Sequence, residues 1–224
     1  MKEENSENKT PRRGFITTVL SGAAAFGLSS FSAPLKIDTP TTSTSHDDLG
    51  AEKWFSKVKG KHKMVFDWPK ANNGAALGWA LTLMDTYNDL GVPDKDLSIV
   101  LILRYATTPI ALADPLWAKY EFGKRIELKD PDTKEFTLRN LYAKCATEDD
   151  DCIEVLLKRG GMVGVCNHAL QSSSDSLAEK LKLNKDDLRK EFLNNLLPGI
   201  QLLPSGIWGV NRAQELGCKF CFGG

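Results

Sequence analysis

The sequence predicts an α/β domain, a mainly parallel sheet of about five strands held between layers of helices. Three observations carry this. Leu97-Ser98-Ile99-Val100-Leu101-Ile102-Leu103 and Met162-Val163-Gly164-Val165-Cys166 are almost unbroken apolar runs, which mark strands covered on both faces, as in parallel sheets. Segments with apolar residues at three- and four-residue steps alternate with these runs, and strand–helix–strand alternation implies right-handed crossovers within one sheet. The composition, 42% hydrophobic and 26% charged, is that of a globular chain with an ordinary core.

Taken in order, residues 64–68 form a first short strand, closed by Pro69 and the turn-rich Asn72-Asn73-Gly74. Residues 75–90 place Leu77, Ala80, Leu81, Met84 and Tyr87 on one helical face, and Gly91 and Pro93 stop the helix. The second strand is 97–103. A helix is expected over 114–125, with Asp114 as its cap and Pro115 in its first turn. The charged stretch 126–137, with Asp130-Pro131-Asp132, reads as a surface excursion. Helical pieces over 138–145 and 151–159 flank an acidic turn, Glu148-Asp149-Asp150-Asp151. Gly160-Gly161 leads into the third strand, 162–166. One or two helices are expected across 177–197, a strand at 200–203, and a helix over 207–216 opened by Pro204-Ser205-Gly206 and ended by Gly217. Residues 218–222 complete the sheet as an edge strand. No internal repeat is present.

The amino-terminal region has a different character. Thr10-Pro11-Arg12-Arg13-Gly14-Phe15-Ile16 precedes an almost uncharged apolar run through Ser32, and paired arginines before such a run resemble a twin-arginine export signal, whose cargo crosses the membrane folded. Small residues around Ser30-Phe31-Ser32-Ala33 suit cleavage near residue 33, and no cysteine lies there to accept a lipid. The alternative is an uncleaved membrane anchor, since residues 14–35 are just long enough to span a bilayer of roughly 30 Å. The expected organisation is an export signal over 1–33, a polar flexible spacer over 34–50 containing TPTTSTSHDD, and the α/β domain over 51–224, with the mature protein in the periplasm. Removing residues 1–33 leaves 25 basic against 26 acidic residues. That balance offers no electrostatic footprint for nucleic acid or an anionic membrane, and membrane contact is expected only through the signal. The one dense basic stretch, Lys57-Val58-Lys59-Gly60-Lys61-His62-Lys63, reads as a solvated lead-in to the first strand.

Ligands of parallel α/β sheets sit beyond the carboxyl ends of the strands. The candidates there are Asp67, Trp68, Asn72 and Asn73 after the first strand, Arg104 and Tyr105 after the second, Cys166, Asn167 and His168 after the third, and Ser205 after the fourth. A thiol two residues before a histidine can become a nucleophile, because a neighbouring imidazolium favours the thiolate. The competing reading of Cys166 is a buried, inert cysteine that ends a core strand. Ser205 fits a helix cap better than a nucleophile, since Gly-x-Ser-x-Gly is absent. Nucleotide-loop and His-Glu-x-x-His motifs are absent as well.

Five cysteines cannot all pair within one chain. Cys145 with Cys152, and Cys218 with Cys221, are the disulfide candidates that leave Cys166 alone. Residues three apart in an extended strand point to opposite faces, so a Cys218–Cys221 bridge needs a turn. The alternative use of Cys218 and Cys221, with Cys166 or His168, is as ligands of a soft metal. No other cofactor is indicated.

Residues 156–170, LLKRGGMVGVCNHAL, and 197–207, LPGIQLLPSGI, with Asn211-Arg212-Ala213-Gln214-Glu215-Leu216-Gly217, resemble the DsrE-like sulfur-relay family. The resemblance extends over residues 62–222 and is firmest in the last third. It implies a flavodoxin-like three-layer fold, a homo-oligomer, and a cysteine at position 166 that carries persulfide sulfur between a donor and an acceptor protein. The export signal, the long segment 126–151 and the Cys218-x-x-Cys221 pair depart from the family pattern. Three functions follow as expectations. The first is an exported protein handling sulfur or thiols at Cys166, with His168 and Arg104 stabilising its anion. The second is a non-catalytic module of the same fold, binding a small ligand or metal through strand-end residues such as Asn72, Asn73, Arg104, Tyr105, Asn167 and Ser205. The third is a redox protein using Cys218 and Cys221 as a dithiol.

Overall fold

The computed structural model describes residues 49–145, 147 and 151–224. The expected export signal, most of the spacer and most of the acidic turn lie outside the described residues.

Five strands, β1 (His62–Trp68), β2 (Leu97–Leu103), β3 (Met162–Cys166), β4 (Gln201–Leu203) and β5 (Lys219–Phe222), form one sheet in the order β4-β3-β2-β1-β5, with every pair parallel. Side-chain alternation divides the core. Phe66, Trp68, Ile99, Leu101, Leu103, Val163 and Val165 face one helix layer, and Val65, Val100, Ile102, Met162 and Leu203 face the other. The steps from β1 through β4 all run in one direction, and right-handed crossovers that step the same way deposit their helices on the same face. That face carries α2 (Ala75–Asp89), α3 (Asp114–Tyr120), α4 (Phe122–Arg125), α5 (Ile153–Lys158), α6 (Asn167–Leu181) and α7 (Lys185–Asn194). The return from β4 to β5 runs the other way, and α8 (Gly206–Glu215) lies on the opposite face, beside α1 (Ala51–Phe55). The result is a three-layer α/β fold of the flavodoxin-like kind.

Four local expectations are corrected. The helix expected over 114–125 breaks at Glu121, whose φ of 51° turns the chain so that Phe122 enters the core. Gly123 then packs so closely on Thr137 that a Cβ would stand 2.1 Å from the Thr137 carbonyl oxygen. Residues 138–145 are turns rather than helix, because Asn140 diverts the local hydrogen bonds. Its Oδ1 accepts from the Tyr142 N–H at 3.1 Å, and its Nδ2 donates to the Ile110 and Leu112 carbonyls at 2.8 and 2.9 Å. The helix expected from residue 177 begins ten residues earlier, directly after β3, and a left-handed Lys182 separates it from α7. Finally, β1 starts at His62, so the basic lead-in is partly inside the sheet.

Candidate functional site

The crevice of this sheet lies where α6 leaves β3 toward one face and α8 leaves neighbouring β4 toward the other. Cys166 ends β3 at that point. It is 5% exposed, and its Sγ accepts a hydrogen bond from the Ala169 N–H at 3.2 Å, which makes the thiol the cap of α6. The first turn of α8 closes over it. Ser205 caps that helix, its hydroxyl accepting from the Trp208 N–H at 3.1 Å. Gly206 follows, where a Cβ would stand 2.6 Å from the Arg104 Cβ and 3.2 Å from the Cys166 Cβ. Only glycine permits this approach.

Arg104 follows β2 by one residue, level with Cys166 in the register that pairs Leu103 with Val165. Its guanidinium donates two hydrogen bonds to Asp67 near the end of β1, from Nε to Oδ1 at 2.5 Å and from Nη2 to Oδ2 at 2.7 Å. The side chains are 23% and 5% exposed, so this bidentate pair is largely withdrawn from water. Hydrogen bonding to Asp67 raises the Arg104 pKa above its ordinary value; burial opposes this, and the electrostatic influence of Asp67 and then of Cys166 adds to it. The Arg104 backbone is fixed too, its N–H reaching the Thr107 Oγ1 at 3.1 Å while the Thr107 hydroxyl bonds the Trp68 carbonyl. Arg104 and Cys166 therefore stand level on the α8 face, with Asp67 on the next strand level with Ile102, two residues before Arg104. An anion forming at Sγ would meet one backbone N–H and a positioned guanidinium.

The other expected residues are arranged differently. Asn167 is in the first turn of α6 and its Oδ1 accepts from the Nη2 of Arg189, which reaches across from α7. Burial lowers the Arg189 pKa, with Asp175 opposing, and its Nη1 is buried without an acceptor among the described residues. No sequence signal marked Arg189. His168 is exposed on α6, and no hydrogen bond joins its imidazole to Cys166 among the described residues; the capping position and the second helical residue diverge around the helix axis. Asn72 and Asn73 lie beyond β1, exposed and left-handed at φ 41° and 49°, two strands from Cys166. Tyr105 is 70% exposed with φ 56°, so its ring leaves the level that Arg104 and Cys166 share.

Cys145 and Cys152 are bonded, with Cα atoms 5.6 Å apart. Cys218 and Cys221 are not bonded to each other and do not form the expected bridge. Cys218 packs with the α8-face core and Cys221 against the α2-face core, the opposed directions that extended backbone dictates. Burial raises both thiol pKa values, opposed at Cys218 by Lys63. Among the described residues, no group of three His, Cys, Asp or Glu side chains is placed to hold a metal ion.

No family model matches the sequence, and no curated protein matches it. Among solved structures, a protein of unknown function from Methanobacterium thermoautotrophicum is similar over 72% of this chain and 98% of its own, at 14% identity and a TM-score of 0.39.

Proposed function

We propose that the protein handles sulfur or thiols at Cys166. One observation carries the reading. At the crevice between β3 and β4, a thiol caps α6 beside an arginine that a buried carboxylate holds in place. The chemistry balances without an added oxidant. The Cys166 thiolate attacks the outer sulfur of a persulfide R–S–SH, the S–S bond breaks, R–S⁻ departs, and Cys166 retains the sulfur as Cys–S–SH. An acceptor thiolate then takes that sulfur by the reverse displacement. Arg104 and the Ala169 N–H steady the charge on Sγ in both steps.

The donor and acceptor are thiol-bearing proteins or small thiols, and the protein works as a homo-oligomer after twin-arginine export to the periplasm. The paired arginines at 12 and 13 support the export reading. A second reading, a non-catalytic module in which Cys166 only caps α6, draws on the low exposure of that thiol.

Intact mass spectrometry separates the two. After incubation with glutathione persulfide, the protein gains the mass of one sulfur atom, and Cys166→Ser abolishes the gain. A Cys166 that takes up neither sulfur nor alkylating agent until the protein is denatured would overturn the proposal in favour of the capping role. Fractionation of cells expressing the full chain, with Arg12→Lys/Arg13→Lys as control, tests export. A wild-type protein found only in the cytoplasm would refute it.

A further inference from the structure

The lysines around the start of β1 are absorbed neither by the core nor by the Cys166 site. β1 pairs with β2 from His62 onward, but β5 joins it only at Met64, opposite Lys219. The flank of β1 before Met64 is therefore open on the β5 side, and the turn at Gly217 passes beside it. A cleft of about 200 Å³ opens there. That is smaller than the sites of drug-sized ligands, so the cleft takes only a small molecule. Met64, Leu83 and Ile99 give it an apolar floor, and Tyr87 forms a wall with the His62 ring tilted against it at 4.4 Å.

The rim is cationic. Lys61, Lys63 and Lys219 all line the cleft, and no carboxylate does. The Lys61 ammonium reaches out to Asp96 at 3.0 Å, and that of Lys63 donates to the Leu216 carbonyl at the end of α8, also at 3.0 Å. Lys219 has no ion-pair partner among the described residues. Three ammonium groups against one outlying carboxylate leave excess positive charge over an apolar, aromatic-walled floor.

We infer that this cleft binds a small organic anion with an apolar ring or chain, the carboxylate, sulfonate or phosphate meeting the lysine rim and the apolar part lying on Met64, Leu83 and Tyr87. The site is at the amino ends of the strands, away from Cys166 by the length of β2, about 23 Å at 3.3 Å per residue. It stands independently of the thiol chemistry.

The test is an amide-resolved NMR titration of the full chain with 3-phenylpropionate, and in parallel with its neutral amide. The acid shifts the amides of residues 61–64, 87 and 217–219 in a saturable manner, and the neutral amide binds about tenfold or more weakly, as expected when an ion contact of about 1.4 kcal/mol is lost. Lys219→Glu weakens the acid by a similar factor, and so does moderate salt. Lys219 is exposed on an edge strand, so this variant keeps the fold, which the same spectra report. The inference is overturned if these amides do not shift, if acid and amide bind alike, if Lys219→Glu binds unchanged, or if the shifts gather at Cys166 instead.

Discussion

The Asp67–Arg104 pair invites a direct measurement. Replacing Arg104 with Met keeps the bulk of the side chain and removes the charge, stranding a carboxylate that is 5% exposed. Breaking a buried pair from one side costs about 3–5 kcal/mol. Arg104 retains 23% exposure, so water relieves part of this, and we expect about 2–3 kcal/mol. For a domain of this size that lowers Tm by about 4–12 °C. Adding Asp67→Asn removes the stranded charge, so the double variant returns to within about 1 kcal/mol of the parent. Thiol reactivity separates from stability in the same series. Iodoacetamide modification of Cys166 slows about threefold or more in Arg104→Met and does not recover in the double variant, because the guanidinium beside Sγ is missing from both. Urea unfolding and modification followed by peptide mass spectrometry provide the two readouts. The reasoning fails if Arg104→Met costs less than about 1 kcal/mol, or if the double variant is as unstable as the two single losses added.

Gly206→Ala should lose about 1–3 kcal/mol despite the better helix propensity of alanine, because its Cβ would meet Arg104 and Cys166; an unchanged urea midpoint would mean that α8 does not seal the crevice. Reducing Cys145–Cys152, which closes a loop of sequence separation 7, should remove about 2.4 kcal/mol on loop-entropy grounds, read as a drop in Tm on adding reductant. Burial pushes the Tyr142 phenol up to about 12. Between its ordinary value and 12 the unfolded chain has shed a proton that the fold retains, so this contribution is intact below pH 10 and is lost as the pH rises, by about 2–3 kcal/mol in total. Tyr142→Phe should flatten the alkaline limb of stability against pH; identical slopes for the two proteins would refute the assignment.

The sheet was legible because its central strands carry their burial in their composition. Leu97–Leu103 is apolar on both faces, and so is Met162–Cys166. The start of α8 was equally plain, since Pro204-Ser205-Gly206 spells a cap. What escaped was decided by side chains acting at a distance or by weak local preferences. The first turns of α6 contain Asn167 and three serines, weak helix formers that gave no signal; the capping bond to Cys166 and the burial of Leu170 and Ser174 hold them helical. Residues 138–145 have helical composition, yet Asn140 spends its amide on the Ile110 and Leu112 carbonyls, a partnership that no local window contains. At the candidate site, Cys166, Arg104, Asp67 and Ser205 were each expected at strand ends. Their association depends on strand order, and strand order is a tertiary property. Arg189 has no local signature, since its role depends on α7 lying against the start of α6.

The position of β5 bears on how the chain is made. Within the finished sheet β1 has a neighbour on each side, but the second neighbour is the last of the five strands in chain order. Until β5 emerges β1 is a bare rim, its amide and carbonyl row open to any extended peptide that drifts past. Closure of that rim therefore waits until every other strand of the sheet has been made.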